Sequence, residues 1–546
     1  MTENEPKSKK FRASILNESM NSIAIQFLFK SWWHSYSPCK ATALEVIVFP
    51  FRVCKISNFL KCEKFLENLK SELSAIETNR LESDLFSFEQ TSDLANVDTE
   101  NIRQLHQVFV NDLRLWIKTN TGIDLTRKIS MSSTRYSDTD HLLCHEDNLG
   151  DRRIAFILYL SESWTAEDGG TLDLFSTDSH GLPKKIVRSL IPEYNSLVFF
   201  EVSDNSYHQV AEVISPDKLR LTINGWFHGP LKRSNRPPRP EIELILYEPS
   251  PNDEALNSWV MQSYLSEDTR REIQNEVENK SYTYLANFLK EDAYNKISAE
   301  ITSEGINWKR VGPADSRNYE VADEESLPSA LKKFYELFKS IEMFKLLKDY
   351  TDLDLVPDGK DMKPKMRIEL QRWSKGCYTL ISDKDTEEPS KIHDSSSRKD
   401  NVEVESQGKD VDNSADNPGE EKSQTPSDSP DSQGVEIENS SPDASGNAGS
   451  GDDIDTSDTK LGTLDVIIQF NTTRVPEDVT INYVCPEEPD GTLVHVPPED
   501  NHLCLVYRTT DTCRVHKYVK HYCEGYFYNL ICSYYESEIP VADRFR

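Results

Sequence analysis

Apolar positions recur at helical spacing from Ile15 to Trp33, which predicts an amphipathic helix too interrupted by polar residues to cross a membrane. Leu44, Val46, Val48, Phe49, Phe51 and Val53, within 43–60, predict the first strands, and Phe65–Ile76 and Thr99–Asn120 return to helical spacing. From Ile129 the pattern shortens. Arg153–Leu160, Thr171–Phe175, Leu197–Val202 and Leu221–Phe227 are short apolar runs divided by turn residues such as Glu167-Asp-Gly-Gly170. Many short strands punctuated by Gly and Pro predict an antiparallel barrel or double sheet of the jelly-roll kind. Ser234–Pro240 is rich in proline and arginine and predicts a linker, and 252–346 carries Leu, Phe and Tyr largely at helical spacing. Strands resume at Leu461.

The later strands echo the earlier ones. Gly170-Thr-Leu172 recurs as Gly491-Thr-Leu493, and Leu197-Val198 followed by His208 recurs as Leu505-Val506 followed by His516. Ile223–Phe227 lines up with Ile531–Tyr535, Leu143–Asp147 with Leu380–Lys384, and Arg220 with Tyr528. An ordered set of weak matches predicts a second copy of the same unit. The fold class expected is therefore mainly β with flanking helices (α+β), built from two jelly-roll domains of which the second is degenerate. The boundaries expected are a tail and helix over 1–40, a first β domain over 41–230 with its core at about 124–230, a linker and helical connector over 231–350, and the second β domain over 351–546.

Composition adds one segment and excludes some partners. Residues 385–460 contain no aromatic residue, and 383–460 hold 22 acidic and 7 basic residues, about half of the formal net charge of −31. Such a segment cannot bury enough apolar surface to offset its ordering entropy, so it predicts a disordered acidic insertion within the second domain. A chain this acidic argues against direct, sequence-specific nucleic-acid binding and for a basic partner. The ten cysteines form no CxxC pair and there is no secretory leader, which favours a reducing intracellular compartment. Pro6-Lys-Ser-Lys-Lys10 is a small basic cluster of the kind that directs nuclear import or simply solvates a tail. No run reaches membrane-spanning length.

The candidate chemistry lies between Tyr136 and Gly229. His145 and Asp147 are two apart, which on an extended backbone places them on one side, and His208 follows near the end of another apolar strand. Two imidazoles and a carboxylate are the facial ligand set of non-haem Fe(II) oxygenases, leaving positions open on the metal. Arg220, on the next strand, is a fixed cation able to hold the distal carboxylate of 2-oxoglutarate, and Tyr159 offers a hydroxyl to the same group. An H-x-D triplet alone is weak, since a core histidine and a turn aspartate explain it. The order of triplet, strands, lone histidine, then arginine on a strand ending Gly225-Trp-Phe227 carries the assignment. His141, four residues before His145, has a supporting or structural role in this reading.

At these residues the chain resembles a known family. Leu142–Asp147, Arg152–Leu160, Gly169–Leu174, Ser189–Pro192 and Gly225–Pro230 are similar to the eukaryotic 2-oxoglutarate- and iron-dependent ribosomal prolyl 3-hydroxylases, which modify a decoding-centre proline of an S12-class small-subunit ribosomal protein. The resemblance covers most of the chain and is specific over 142–230. It implies Fe(II) held by His145, Asp147 and His208, 2-oxoglutarate held by Tyr159 and Arg220, L-ascorbate as a further cofactor, and molecular oxygen as a reactant. It also implies two double-stranded β-helices with only the first catalytic, a basic ribosomal protein as substrate, an effect on translation accuracy and termination, and residence in nucleus and cytoplasm. Glu146 stands where relatives often carry aspartate, and it is expected to point away from the metal. A different class of function remains open at this stage: a scaffold in translation or RNA granules that senses iron, 2-oxoglutarate or oxygen without turnover. Intact residues at all five positions favour turnover.

Overall fold

Strand Arg152–Tyr159 shows how the first half of the chain builds its layers. Successive residues of a strand face opposite ways. Ile154, Phe156 and Leu158 enter one core with Phe29, Trp33, Phe109 and Trp116, which come from helical segments. Ala155 and Tyr159 enter another core with Leu172, Leu174, Val198 and Phe200. One sheet is thus covered by helices on one face and by further strands on the other, which is how a sheet buries both faces.

In this computed structural model the described residues are 15–41, 43–232, 234, 236–240, 244–251, 255–356, 364–381, 462–485, 491–509 and 511–536. The strands of the first half are β1 (Cys39–Ala41), β2 (Leu44–Ile47), β3 (Val53–Ile56), β4 (Thr78–Glu82), β5 (Phe86–Thr91), β6 (Ile129–Tyr136) and β7 (His141–His145). They continue with β8 (Arg152–Tyr159), β9 (Leu172–Thr177), β10 (Pro183–Leu190), β11 (Ser196–Glu201), β12 (His208–Val210) and β13 (Arg220–His228). Their order is β1-β2-β3-β11-β8-β13-β6-β5-β7-β12-β9-β10, with β4 on β5, and the ladders are antiparallel. β5 is the corner. Glu89 and Gln90 pair with β6, while Phe86 and Ser87 pair with β7, so one short strand serves both halves of the folded sheet. The β4–β5 hairpin carries no clear alternation and is not among the strands expected from sequence.

The helices follow the expected spans with two differences. The first begins as a 3₁₀ turn, Glu18–Asn21, is interrupted at Ser22 in an extended conformation, and restarts as Ile23–Ser35. The third runs from Glu100 to Thr121 through a π-helical turn at Phe109–Leu113, which places Phe109 against Phe156 and Phe227.

The second half repeats the layering. Its strands are β14 (Tyr282–Leu285), β15 (Trp308–Val311), β16 (Arg317–Ala322), β17 (Lys365–Trp373), β18 (Tyr378–Thr379) and β19 (Thr463–Phe470). β20 (Ile481–Val484), β21 (Thr492–Val496), β22 (Leu503–Arg508), β23 (Cys513–His516) and β24 (Phe527–Tyr535) complete it. The larger sheet has the order β14-β22-β19-β24-β17-β16-β15, and a smaller one β21-β20-β23. Val466, Ile468, Leu505 and Leu530 pack against Phe334, Phe338 and Leu347 of the helices Ser329–Lys339 and Ile341–Thr351. From the other face Ile467, Val506 and Ile531 meet Ile481, Tyr483 and Val494 of the small sheet.

The stretch read as a helical connector is helical at Leu256–Trp259, Glu267–Lys280, Glu291–Ile301 and in the two helices just named, but it also supplies β14, β15 and β16. β14 and β15 are the two edges of the larger sheet and β16 lies next to β15, and a run of four to six residues leaves no long periodicity to read. The acidic insertion 385–460 and the basic cluster 6–10 lie outside the described residues. Cys39, Cys54, Cys62, Cys144, Cys377, Cys485, Cys504, Cys523 and Cys532 are free thiols. Among the described residues no helix is long and apolar enough to cross a membrane.

Candidate metal and co-substrate site

β7 ends at His145 and β12 begins at His208, and the two are direct cross-strand partners. Their rings lie 4.2 Å apart between centroids, inclined at 54°. Asp147 joins them by a route that strand alternation does not describe. The strand stops at His145, and Asp147 sits at φ +62°, in the left-handed region that aspartate tolerates better than most residues. A turn, not an extended backbone, carries its carboxylate back to the histidines. Oδ1 lies 3.7 Å from His145 Nε2 and Oδ2 lies 3.5 Å from His208 Nε2. One donor atom from each of the three lies within 4.8 Å of the others.

The protonation pattern suits a cation. Nδ1 of His145 is 2.8 Å from the Leu143 carbonyl, and Nδ1 of His208 is 2.8 Å from the Ser206 carbonyl. A carbonyl only accepts, so each Nδ1 carries the proton and each Nε2 presents its lone pair toward Asp147. Burial, with repulsion from His145, lowers the His208 pKa to about 4. Burial alone would raise that of Asp147, but the neighbouring His145, His208, Trp226 and Arg152 hold it below the ordinary value. A neutral His208 imidazole and the Asp147 carboxylate, with Nε2 of both histidines turned toward that carboxylate, fit a divalent metal. Arg152 approaches Asp147 Oδ1 at 3.5 Å while stacking 3.6 Å above the Trp226 ring, and Phe200 meets the His208 ring edge-on at 4.8 Å.

Arg220 opens β13 and is 1% exposed. Its Nε donates to the Gly170 carbonyl at 2.7 Å, whereas Nη2 is buried without a hydrogen-bond partner. Gly170 has φ +61°, and a Cβ there would stand 2.9 Å from Arg220 Cδ, so this close approach requires glycine. The guanidinium lies 5.1 Å from the Tyr136 ring and 5.2 Å from the Tyr159 ring. The Tyr159 hydroxyl is likewise buried without a well-formed hydrogen bond. Burial raises its pKa against the opposing pull of Arg220. Among the described residues no carboxylate pairs with Arg220, and a buried cation beside an unused hydroxyl is a receptor for an anion.

His145, Asp147, His208 and Arg220 all line one cavity of about 280 Å³. The rest of its wall includes residues that the motifs did not single out. Counting by twos from Arg220 gives Thr222, Asn224 and Trp226, and the same alternation in β6 gives Thr134 and Tyr136. That periodicity was the available signal. Phe86, Phe88 and Gln90 of the corner strand carried none. His141 is not among the lining residues. It stacks on Tyr518 at 4.1 Å and holds the Thr139 carbonyl, a structural contact with the second half of the chain. Glu146 turns away to Arg236, at 2.9 Å.

The 2OG-Fe(II) oxygenase superfamily matches residues 131–228, and the family described as "Oxoglutarate and iron-dependent oxygenase degradation C-term" matches 251–541. Prolyl 3-hydroxylase OGFOD1 of Mus musculus is 40% identical over 64% of this chain and 64% of its own length. The Xenopus laevis protein of that name is 36% identical over 64% of this chain and 72% of its own. Prolyl 3-hydroxylase sudestada1 of Drosophila melanogaster is 35% identical over 63% and 66%. The chain thus spans about two thirds of the length of these relatives. With a 2OG-Fe(II) oxygenase region enclosing the His145–Asp147–His208 cluster and the family's C-terminal region behind it, the chain belongs to the 2-oxoglutarate- and iron-dependent oxygenase family that includes these prolyl 3-hydroxylases.

Proposed function

We propose that this protein is a 2-oxoglutarate- and Fe(II)-dependent dioxygenase that hydroxylates a proline in a protein substrate. The observation that carries the reading is Arg220, a buried guanidinium with an unused Nη2 and no carboxylate partner among the described residues, lining the same cavity as His145, Asp147 and His208. His145, Asp147 and His208 would hold Fe(II), which would supply the activation of molecular oxygen that couples breakdown of 2-oxoglutarate to hydroxylation of a substrate C–H bond, one oxygen atom going to succinate and the other to the substrate. The chain's own residues orient and exclude. The Leu143 and Ser206 carbonyls lock both imidazoles with Nε2 inward, and Trp226 and Arg152 flank Asp147. Arg220 would receive the distal carboxylate of 2-oxoglutarate and the Tyr159 hydroxyl would donate to it. Phe200 covers one edge of His208 and keeps water from it.

The finer reading extends this site. The substrate is a basic small-subunit ribosomal protein, drawn by an acidic chain and hydroxylated at C3 of a proline. L-ascorbate sustains the enzyme, and it works in nucleus and cytoplasm. The first β domain, 41–230, is catalytic, and 351–546, joined by strands and helices of 231–350, is a second double-stranded β-helix with no metal-ligand cluster among its described residues. The strand orders support that division: β11-β8-β13-β6 is matched by β22-β19-β24-β17, and β12-β9-β10 by β23-β20-β21. In the second copy His516 is stacked on Trp373 at 3.7 Å, in place of a ligand cluster. The deciding experiment incubates purified protein with Fe(II), labelled 2-oxoglutarate and a proline-containing ribosomal-protein peptide. Succinate and a product heavier by one oxygen are expected, and failure of both would reject the assignment.

A further inference from the structure

A second hollow, of about 730 Å³, reaches the metal cluster from another side and shares His145, Asp147 and Arg152 with the co-substrate cavity. Its far wall comes from the second half of the chain: Asp315, in the turn between β15 and β16, with Leu380 and Ile381 just after β18. That wall is pinned to the first half. The backbone N–H of Ile381 donates to Asp84 at 2.6 Å, and Leu380 packs on Leu143. The hollow therefore exists only because both halves are present.

Two buried polar atoms in its walls make no well-formed hydrogen bond: the hydroxyl of Tyr207 and Oδ1 of Asp315. Tyr207 is 0% exposed and directly precedes His208. Asp315 is committed on one side only, through Oδ2 to the guanidinium of Arg239. Burial raises its carboxyl pKa against the opposing charge of Arg239, so the carboxylate is under-compensated where it stands. Leaving a buried donor and a buried carboxylate oxygen unmatched costs more than most hydrogen bonds contribute, and walls that keep such groups fit an occupant that supplies the complements. A carboxylate oxygen only accepts, so its complement is a cationic donor; the complement of a tyrosine hydroxyl is a carbonyl.

We propose that this hollow seats the substrate peptide, and that Asp315 is a specificity residue receiving the ammonium or guanidinium of a basic side chain beside the target proline. The inference rests on the prolyl-hydroxylase reading above. Tyr207 takes a backbone carbonyl of the same peptide, and Leu380 and Ile381 give the proline ring an apolar wall.

The test measures binding by fluorescence anisotropy on the full chain loaded with Mn(II) and 2-oxoglutarate. Two labelled peptides are compared, one with its proline flanked by lysines and one with glutamines in their place. On the unaltered protein the lysine peptide should bind about tenfold more tightly, the size of a modest buried charge pair. Asp315→Asn should reduce that preference to within about twofold. Ile381→Lys, which adds a like charge to the same wall without touching Asp315, should also weaken the lysine peptide selectively. Equal binding of the two peptides by the unaltered protein overturns the proposal, as does an unchanged preference in a folded Asp315→Asn protein. Hydroxylation of the same peptides with Fe(II) is read separately by mass. Product without any lysine preference rejects this inference and leaves the enzymatic reading standing. Lysine preference without product keeps a basic-peptide site at Asp315 but rejects the enzymatic reading, and with it the substrate role given to that site.

Discussion

Replacing Arg220 by methionine separates a binding role from a structural one. The side chain is 1% exposed, donates once, to the Gly170 carbonyl at 2.7 Å, and leaves Nη2 without a partner. Methionine fills similar volume. It gives up the Gly170 bond, worth about 1 kcal/mol, but it also removes a desolvated cation that no described carboxylate offsets. The two terms oppose each other, so the unliganded protein should melt within a few degrees of the parent. With 2-oxoglutarate the balance changes. A charge-assisted hydrogen bond to a carboxylate is worth about 1.5–3 kcal/mol, so Arg220→Met should weaken 2-oxoglutarate by roughly 10- to 150-fold. At a concentration about 100 times the parent Kd, bound co-substrate stabilises the parent by about 2.7 kcal/mol, and most of that should vanish in the variant. Arg220→Lys keeps the charge but not the planar fork, and should fall between them. The assay is thermal melting with Mn(II), with and without 2-oxoglutarate, backed by calorimetric titration. If Arg220→Met melts far below the parent without co-substrate, or keeps the full 2-oxoglutarate shift, Arg220 is a structural cation and another group holds the anion.

Four further outcomes are expected. His145→Ala and Asp147→Ala should abolish turnover of 2-oxoglutarate while circular dichroism stays unchanged, because two remaining ligands hold iron too weakly at working concentration; near-parental turnover in either would remove the triad. Glu212→Gln should report on the contact between the two halves. Burial raises the Glu212 pKa to about 7, against the His521 N–H, the charge of His521 and the Tyr518 hydroxyl, which pull it down. A carboxyl raised on folding binds more protons in the folded state between its unfolded value and about 7, so stability falls as pH rises through that window. Removing the group should therefore cancel about 3 kcal/mol of that fall, seen as a variant-to-parent stability difference that grows from pH 5 to pH 8 in urea unfolding. A flat difference would contradict it. Deleting residues 386–459 should change the melting temperature by only a few degrees, since a segment without aromatics buries little and loop closure costs grow slowly with length. Truncation after Pro240 removes Tyr518, the stacking partner of His141, and both partners of Glu212, and should abolish substrate hydroxylation or solubility.

Much of the site was legible along the chain because its parts are local in sequence. His145 and His208 sit at the ends of short apolar strands, Arg220 opens the next, and alternation from Arg220 also marks Thr222, Asn224 and Trp226 as inward. The two-layer build of each half follows from continuous apolar runs such as Ile154–Leu160 and Val466–Ile468, since strands apolar on both faces must be covered on both. Other features depend on contacts between residues far apart in the chain. Asp147 reaches the histidines through a left-handed turn, a backbone choice that side-chain periodicity does not encode. Short strands such as β5, β14 and β16 are placed by pairing with strands distant in the chain, and four to six residues show too few repeats to betray a period. Arg220 alone in sequence is any arginine. Its function as an anion receptor comes from burial that leaves it without a carboxylate. The meeting of Asp315 with Tyr207 and with the cluster, 170 residues from His145 (315 − 145), is decided by how the second set of sheets docks on the first, because unsatisfied polar groups exist only once folding has removed their water.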